Sequence, residues 1–133
     1  MPMRLNSAFK NSTVWYFQEI ARRIGSERMI DGLRKIDYCD TTFAINNDID
    51  GFWLNGNLKK SLKEQVLFVE KLASKKLKVK KSTYRVLKNI MASDTISNSY
   101  VYSKTGWGVD GNEDIGWYIG YVLKDNKIYT FGT

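Results

Sequence analysis

Tyr100-Val101-Tyr102-Ser103-Lys104-Thr105-Gly106-Trp107-Gly108 is the stretch on which the fold turns. Tyr100-Val101-Tyr102 reads as a short strand that leads into Lys104. A lysine there aims a fixed positive charge along the strand, and Thr105 offers a hydroxyl to a carboxylate. Gly106 lets a ligand lie against the backbone, and the N–H groups beyond it can serve an oxyanion. Downstream, Ile115, Trp117, Ile119 and Tyr121 alternate along a second strand. Asp125-Asn126 predicts a tight turn into a third, Lys127 to Phe131. The C-terminal part is thus an antiparallel meander of at least three strands.

Upstream the period changes from two to about 3.6. Residues 12–25 predict a helix with Val14, Phe17, Ile20, Ala21 and Ile24 on one face, ended by Gly25. Ser26 is expected to cap a second helix with Met29, Ile30, Leu33 and Ile36 inward. Residues 38–60 lose periodicity and collect Asp, Asn and Gly, which predicts a long, functional loop. Ser61-Leu62-Lys63-Glu64 is a capping box opening a third helix, with Leu62, Val66, Val69 and Leu72 inward. Ser82 is expected to cap a fourth that carries Val86, Leu87, Ile90 and Met91. Helices first and antiparallel strands after make the fold class α+β. One domain over 1–133 is expected, helical over 12–92 and stranded over 98–133. The open edge of the last strand suggests further chain, or a homodimer formed through that edge.

The 133 residues suffice for one core. Histidine is absent and Cys39 is the single cysteine, which removes Ser-His-Asp triads, Cys-His dyads and nearly all zinc sites. No apolar run approaches the ~20 residues of a membrane span, and no signal-peptide stretch opens the sequence. The net charge of +7 is uneven: residues 59–88 hold eleven Lys/Arg against Glu64 and Glu70. Solvated helix faces account for that run. It has few aromatics or glycines that could be exposed to stack or clamp bases, so no nucleic acid is expected.

Lys-Thr-Gly is one of three signatures of serine β-lactamases and penicillin-binding proteins, and its surroundings extend the match. Asn11-Ser12-Thr13-Val14-Trp15 resembles the Ser-x-Val region of class D (oxacillinase-type) β-lactamases. Phe52-Trp53-Leu54-Asn55-Gly56-Asn57-Leu58 resembles their Trp-Leu-x-Gly-x-Leu segment, and 104–122 resembles their Lys-Thr-Gly strand and the strand after it. The motifs stand in the family's order, from about Leu5 to Thr133. The resemblance implies that Ser12 relays protons between the nucleophile's base and the β-lactam nitrogen. Val14 would pack beside the carboxylated lysine that serves as base, Trp53 would hydrogen-bond its carbamate, and Leu54 would wall the pocket. Lys104 and Thr105 would engage the substrate carboxylate against Gly106, and the Trp107 N–H would form half of an oxyanion hole.

Two departures stand out. The family's Tyr-Gly-Asn falls on Tyr38-Cys39-Asp40, which adds a side chain and a negative charge near an anion site. The Ser-x-x-Lys bearing the nucleophile should lie far upstream of Ser12, so the chain reads as N-terminally, and slightly C-terminally, incomplete. Ser7-Ala8-Phe9-Lys10 fits that pattern only five residues before Ser12, too close to act. Asn46-Asn47-Asp48-Ile49-Asp50-Gly51 imitates a calcium loop, but position twelve is Asn57 and no helix is expected before it. No metal and no cofactor is expected, since the lysine that bears the family's CO2-derived carbamate is not in this chain.

The expected function is β-lactam recognition on a class D scaffold without turnover. A penicillin sensor and a basic nucleic-acid binder are the alternatives. The resemblance implies a periplasmic or secreted location; expressed as given, the chain would stay in the cytoplasm.

Overall fold

The computed structural model describes residues 2–38 and 42–133. Two compact regions form, residues 1–59 with 107–115, and residues 60–106 with 116–133.

The first region contains α1 (Leu5–Lys10), α2 (Val14–Ile24), α3 (Ser26–Lys35) and α4 (Thr42–Asn47). The helix expected over 12–25 is thus α2, with α1 added before it. Gly25, at φ 79, donates its N–H to Ala21 O and accepts from the Met29 N–H, so it closes α2 and opens α3 in one residue. That displaces the cap expected at Ser26, which is the first residue of α3 and makes no capping bond. Nor is 38–60 one loop, because α4 lies inside it. Six residues are too few to show a helical period, but Ile45 is fully buried and Ala44 nearly so. With Phe52 they form a core against which Met29, Ile30, Leu33, Ile49, Trp53 and Leu58 pack. Burial, not propensity, makes α4.

The second region contains α5 (Leu62–Ala73), α6 (Lys81–Met91) and most of a four-stranded sheet. The capping box is present as expected: the Glu64 N–H donates to Ser61 Oγ at 3.2 Å, and the Ser61 N–H donates to Glu64 Oε2 at 2.8 Å. Val69 is buried, but Leu62 at the helix start is exposed. For α6 the cap position is Lys80 rather than Ser82, and no side chain caps it. Ile90 and Met91 are buried and Val86 is exposed. Tyr84 takes an inward place by donating its hydroxyl hydrogen to Leu77 O at 2.6 Å.

The strands are β1 (Ala92–Ile96), β2 (Ser99–Asp110), β3 (Glu113–Lys124) and β4 (Lys127–Gly132), in sheet order β1-β2-β3-β4. β1 follows α6 directly, where the sequence reading runs the helical part on to 92. Its Ser, Asp and Thr are all exposed, so no apolar alternation announces it. It turns into β2 through Ser97 and Asn98, both at positive φ. Asp125 and Asn126, at φ 50 and 59, make the expected hairpin turn between β3 and β4. Tyr102 and Tyr121 stack at 4.8 Å between centroids. Beside them Gly120 has no room for a side chain, since a Cβ would stand 2.2 Å from Tyr102 O. No helix among the described residues is long and apolar enough to cross a membrane.

Candidate functional site

In the first region, the turn between α1 and α2 places Ser12. It sits at φ 50, with its N–H donated to Phe9 O and the Thr13 N–H donated to Ala8 O. A positive φ on a non-glycine residue fixes where its side chain leaves the backbone. Val14 is the first residue of α2 and is exposed. The decoy pair Ser7 and Lys10 lies on α1, both exposed.

Trp53 and Leu54 follow the buried Phe52. Trp53 packs edge-on to the Phe52 ring at 5.0 Å and rests on the Ala44–Ile45 core, while the Leu54 N–H donates to Gly51 O at 2.8 Å. Helix α2 braces the chain just before them. Arg22 Nη1 pairs with Asp50 Oδ2 at 2.5 Å, and Gln18 Nε2 donates to Asp50 O at 3.0 Å. The Asp50 contact leads the causes that raise the Arg22 pKa, and Glu19 is lowered by Arg23 and Arg22. Asn55 Nδ2 donates to Asp48 Oδ2. Both carboxylates of the calcium-like stretch therefore have protein partners, although helix α4 does overlap its start. Among the described residues no group of three His, Cys, Asp or Glu is placed to hold a metal. Tyr38 is half-buried, with its N–H donated to Leu33 O. Cys39 and Asp40 lie outside the described residues.

Lys-Thr-Gly does not follow a short strand, as the sequence suggests, but lies inside the twelve-residue β2. Lys104 and Thr105 point to opposite faces by the strand's period. Lys104 is half-buried and its Nζ donates to Thr105 O at 2.5 Å. Desolvation lowers its pKa. Thr105 and Gly106 are exposed. A Cβ on Gly106 would meet Trp117 Cβ of β3 at 3.4 Å, so the glycine keeps this strand close to the indole. Trp107, counted with the first region, is 70% exposed.

Within the first region the structure brings Trp53 and Leu54 onto one packed loop and sets Ser12 and Val14 together at the α2 start. In the second it sets Lys104, Thr105 and Gly106 in one strand over Trp117. Sequence reasoning missed Trp117 as the support under Gly106, although the alternation at 115–121 marks it as a strand residue. It also missed a pairing of Lys59 with Asp110, which lie 51 positions apart and share no local pattern.

A family model for the penicillin binding protein transpeptidase domain matches residues 1–133. β-Lactamase OXA-48 of Klebsiella pneumoniae is 35% identical over 127 residues, covering 96% of this chain and 47% of that protein. The chain belongs to the class D β-lactamase-like family of penicillin-binding transpeptidase domains. Probable β-lactamase YbxI of Bacillus subtilis is likewise 35% identical, over 97% of this chain and 47% of its own length. Among solved class D β-lactamases, FUS-1 (OXA-85) of Fusobacterium nucleatum superposes with a TM-score of 0.89 at 35% identity, covering 97% of this chain and 53% of that one. A class D enzyme from Nostoc superposes at 0.88 with 33% identity, covering 99% and 59%. The class D-like chain spans about half the length of the curated relatives it matches. The α+β fold read from the sequence is the family's fold.

Proposed function

We propose that this chain supplies the β-lactam-recognising side of a class D site. What carries the reading is Lys104, a half-buried lysine on a strand, followed by the exposed Thr105 hydroxyl and the side-chain-free Gly106. A β-lactam carries a carboxylate beside its strained ring. Lys104 supplies the opposing charge and Thr105 a hydrogen bond, while Gly106 leaves the backbone approachable. The Trp107 N–H serves the acyl oxygen. Ser12 relays a proton, Val14 and Leu54 wall the site, and Trp53, locked on Phe52, presents its indole N–H.

The 133-residue chain turns over no β-lactam in this reading. Its one Ser-x-x-Lys, Ser7 to Lys10, has both side chains exposed on α1, and removing a nucleophile costs such sites most of their rate. The resemblance implies that the base of the family's reaction is a carboxylated lysine of a Ser-x-x-Lys other than Ser7 to Lys10. The resemblance implies a periplasmic or secreted location for that role.

Three measurements test this. The pure chain is expected to bind benzylpenicillin reversibly, with Lys104→Ala abolishing binding and Thr105→Ala weakening it. It is expected to give no nitrocefin hydrolysis and no covalent label from a fluorescent penicillin. Hydrolysis abolished by Ser12→Ala would overturn the inactivity, and labelling without turnover would favour the sensor. Binding indifferent to Lys104→Ala would sink the reading.

A further inference from the structure

The segment carrying Trp53 and Leu54 is tethered at both ends. Phe52 is 5% exposed in the core of the first region, Leu58 packs on the same core, and the Leu58 N–H donates to Phe52 O at 3.1 Å. Between and just beyond these anchors, two contacts reach the tip of the β2–β3 hairpin, which belongs to the same region. Gly56, at φ +79, lies so close that a Cβ would stand 3.1 Å from Val109 O and 3.5 Å from Asp110 Oδ1. Lys59 Nζ meets Asp110 Oδ2 at 3.2 Å, with both side chains largely exposed.

We propose that Gly56 and the Lys59–Asp110 pair form a latch that positions the hairpin tip, and with it the backbone of Trp107, on the Trp53–Leu54 loop. A two-stranded ribbon alone is marginally stable, and Gly106, Gly108 and Gly111 leave this one few side chains to stiffen it. The latch supplies a reference point in a packed core. Close backbone approach at Gly56 gives it shape, and the opposite charges give it register. Because the ion pair is wet, the latch is adjustable: salt screens it, and a single charge reversal turns attraction into repulsion. Lys59, Gly56 and Asp110 are positioning residues and touch no substrate.

Hydrogen exchange on the 133-residue chain reads the latch directly. In Asp110→Lys the amides of 107–112 are expected to exchange about two- to five-fold faster. The double variant Lys59→Asp with Asp110→Lys should return them to within about two-fold of the parent, and 1 M NaCl should mimic the single variant. The amides of Tyr118 and Thr133, which bond each other's carbonyls at 3.0 Å in the second region, should not change. Gly56→Ala, which adds a side chain at positive φ, should loosen the tip by about ten-fold. Unchanged exchange in Asp110→Lys, failure of the charge swap to rescue, or equal acceleration at Tyr118 would each overturn the latch. What the latch positions rests on the reading above. Where the parent binds benzylpenicillin, Asp110→Lys should weaken binding by a few-fold and the swap restore it; unchanged affinity overturns the positioning role. A parent that binds no penicillin defeats the proposed function, and the exchange result still decides the latch.

Discussion

Residues 1–59 with 107–115 and residues 60–106 with 116–133 hold their motif residues by different means. In the first region Ser12 sits in a turn at positive φ, and Trp53 and Leu54 ride a loop. Their positions come from tertiary contacts: Arg22 and Gln18 on Asp50, Asn55 on Asp48, Gly56 against Val109. In the second region Lys104, Thr105 and Gly106 sit on a regular strand whose neighbours are set by register. A strand specifies direction cheaply, because every side chain alternates. A loop specifies it only where something distant holds it. The two sets of motif residues should therefore respond differently to mutation.

Backbone crowding should give the largest effect, in the second region. Gly120→Ala drives a Cβ into the β2 backbone at Tyr102 and Ser103, and is expected to cost about 3 kcal/mol or more in urea unfolding. A cost below about 1 kcal/mol would show that the sheet shifts readily and would erase the contrast.

Alkaline pH should give the next. Burial, with Tyr102 adding to it, pushes the Tyr121 hydroxyl up to about 12. Burial also raises Tyr102. A phenol with a raised folded-state pKa is protonated longer in the folded than in the unfolded chain. Its stabilisation is complete below the unfolded value of ~10 and is lost as pH rises towards 12. A loss of about 1–2 kcal/mol is expected across that window. Tyr121→Phe should flatten it, and tyrosinate absorbance should show one late-titrating group fewer. Lys104, lowered by desolvation, works the other way, because its unfolded form holds the proton to higher pH. An alkaline loss unchanged in Tyr121→Phe would contradict the assignment.

The smallest contrast concerns helix caps. Ser61→Ala removes half of a formed capping box and should cost about 1 kcal/mol. Ser26→Ala, at a residue that caps nothing, should stay within about 0.5 kcal/mol. Equal losses in thermal melts would mean that Ser26 caps after all.

The same division explains what could be read from the amino-acid string. Alternation at 115–121, the Asp125-Asn126 turn and the Ser61–Glu64 box are local rules, and each appears where those residues predict it. The α+β class followed from them. β1 escaped notice because its exposed Ser, Asp and Thr leave no period, and α4 because its six residues are made helical by burying Ala44 and Ile45. Gly25 could replace Ser26 as the cap because a glycine at φ 79 serves both helices. Residue types opened the Lys104–Gly106 reading, whereas the roles expected of Trp53 and Leu54 came from the family resemblance. Nothing in local pattern could supply the bracing at Asp50 or the Lys59–Asp110 pairing, which join segments far apart in the chain.

The connection between α5 and α6 has a practical side. Lys75, at φ 58, begins a run in which Lys75, Lys76, Lys78, Lys80 and Lys81 are all exposed, with no acidic residue from Lys75 to Lys88. Such a segment is where trypsin should first nick the folded chain. The cut would fall between two helices and leave the strand with Lys104 covalently whole, making it the natural place to split the molecule or graft a reporter.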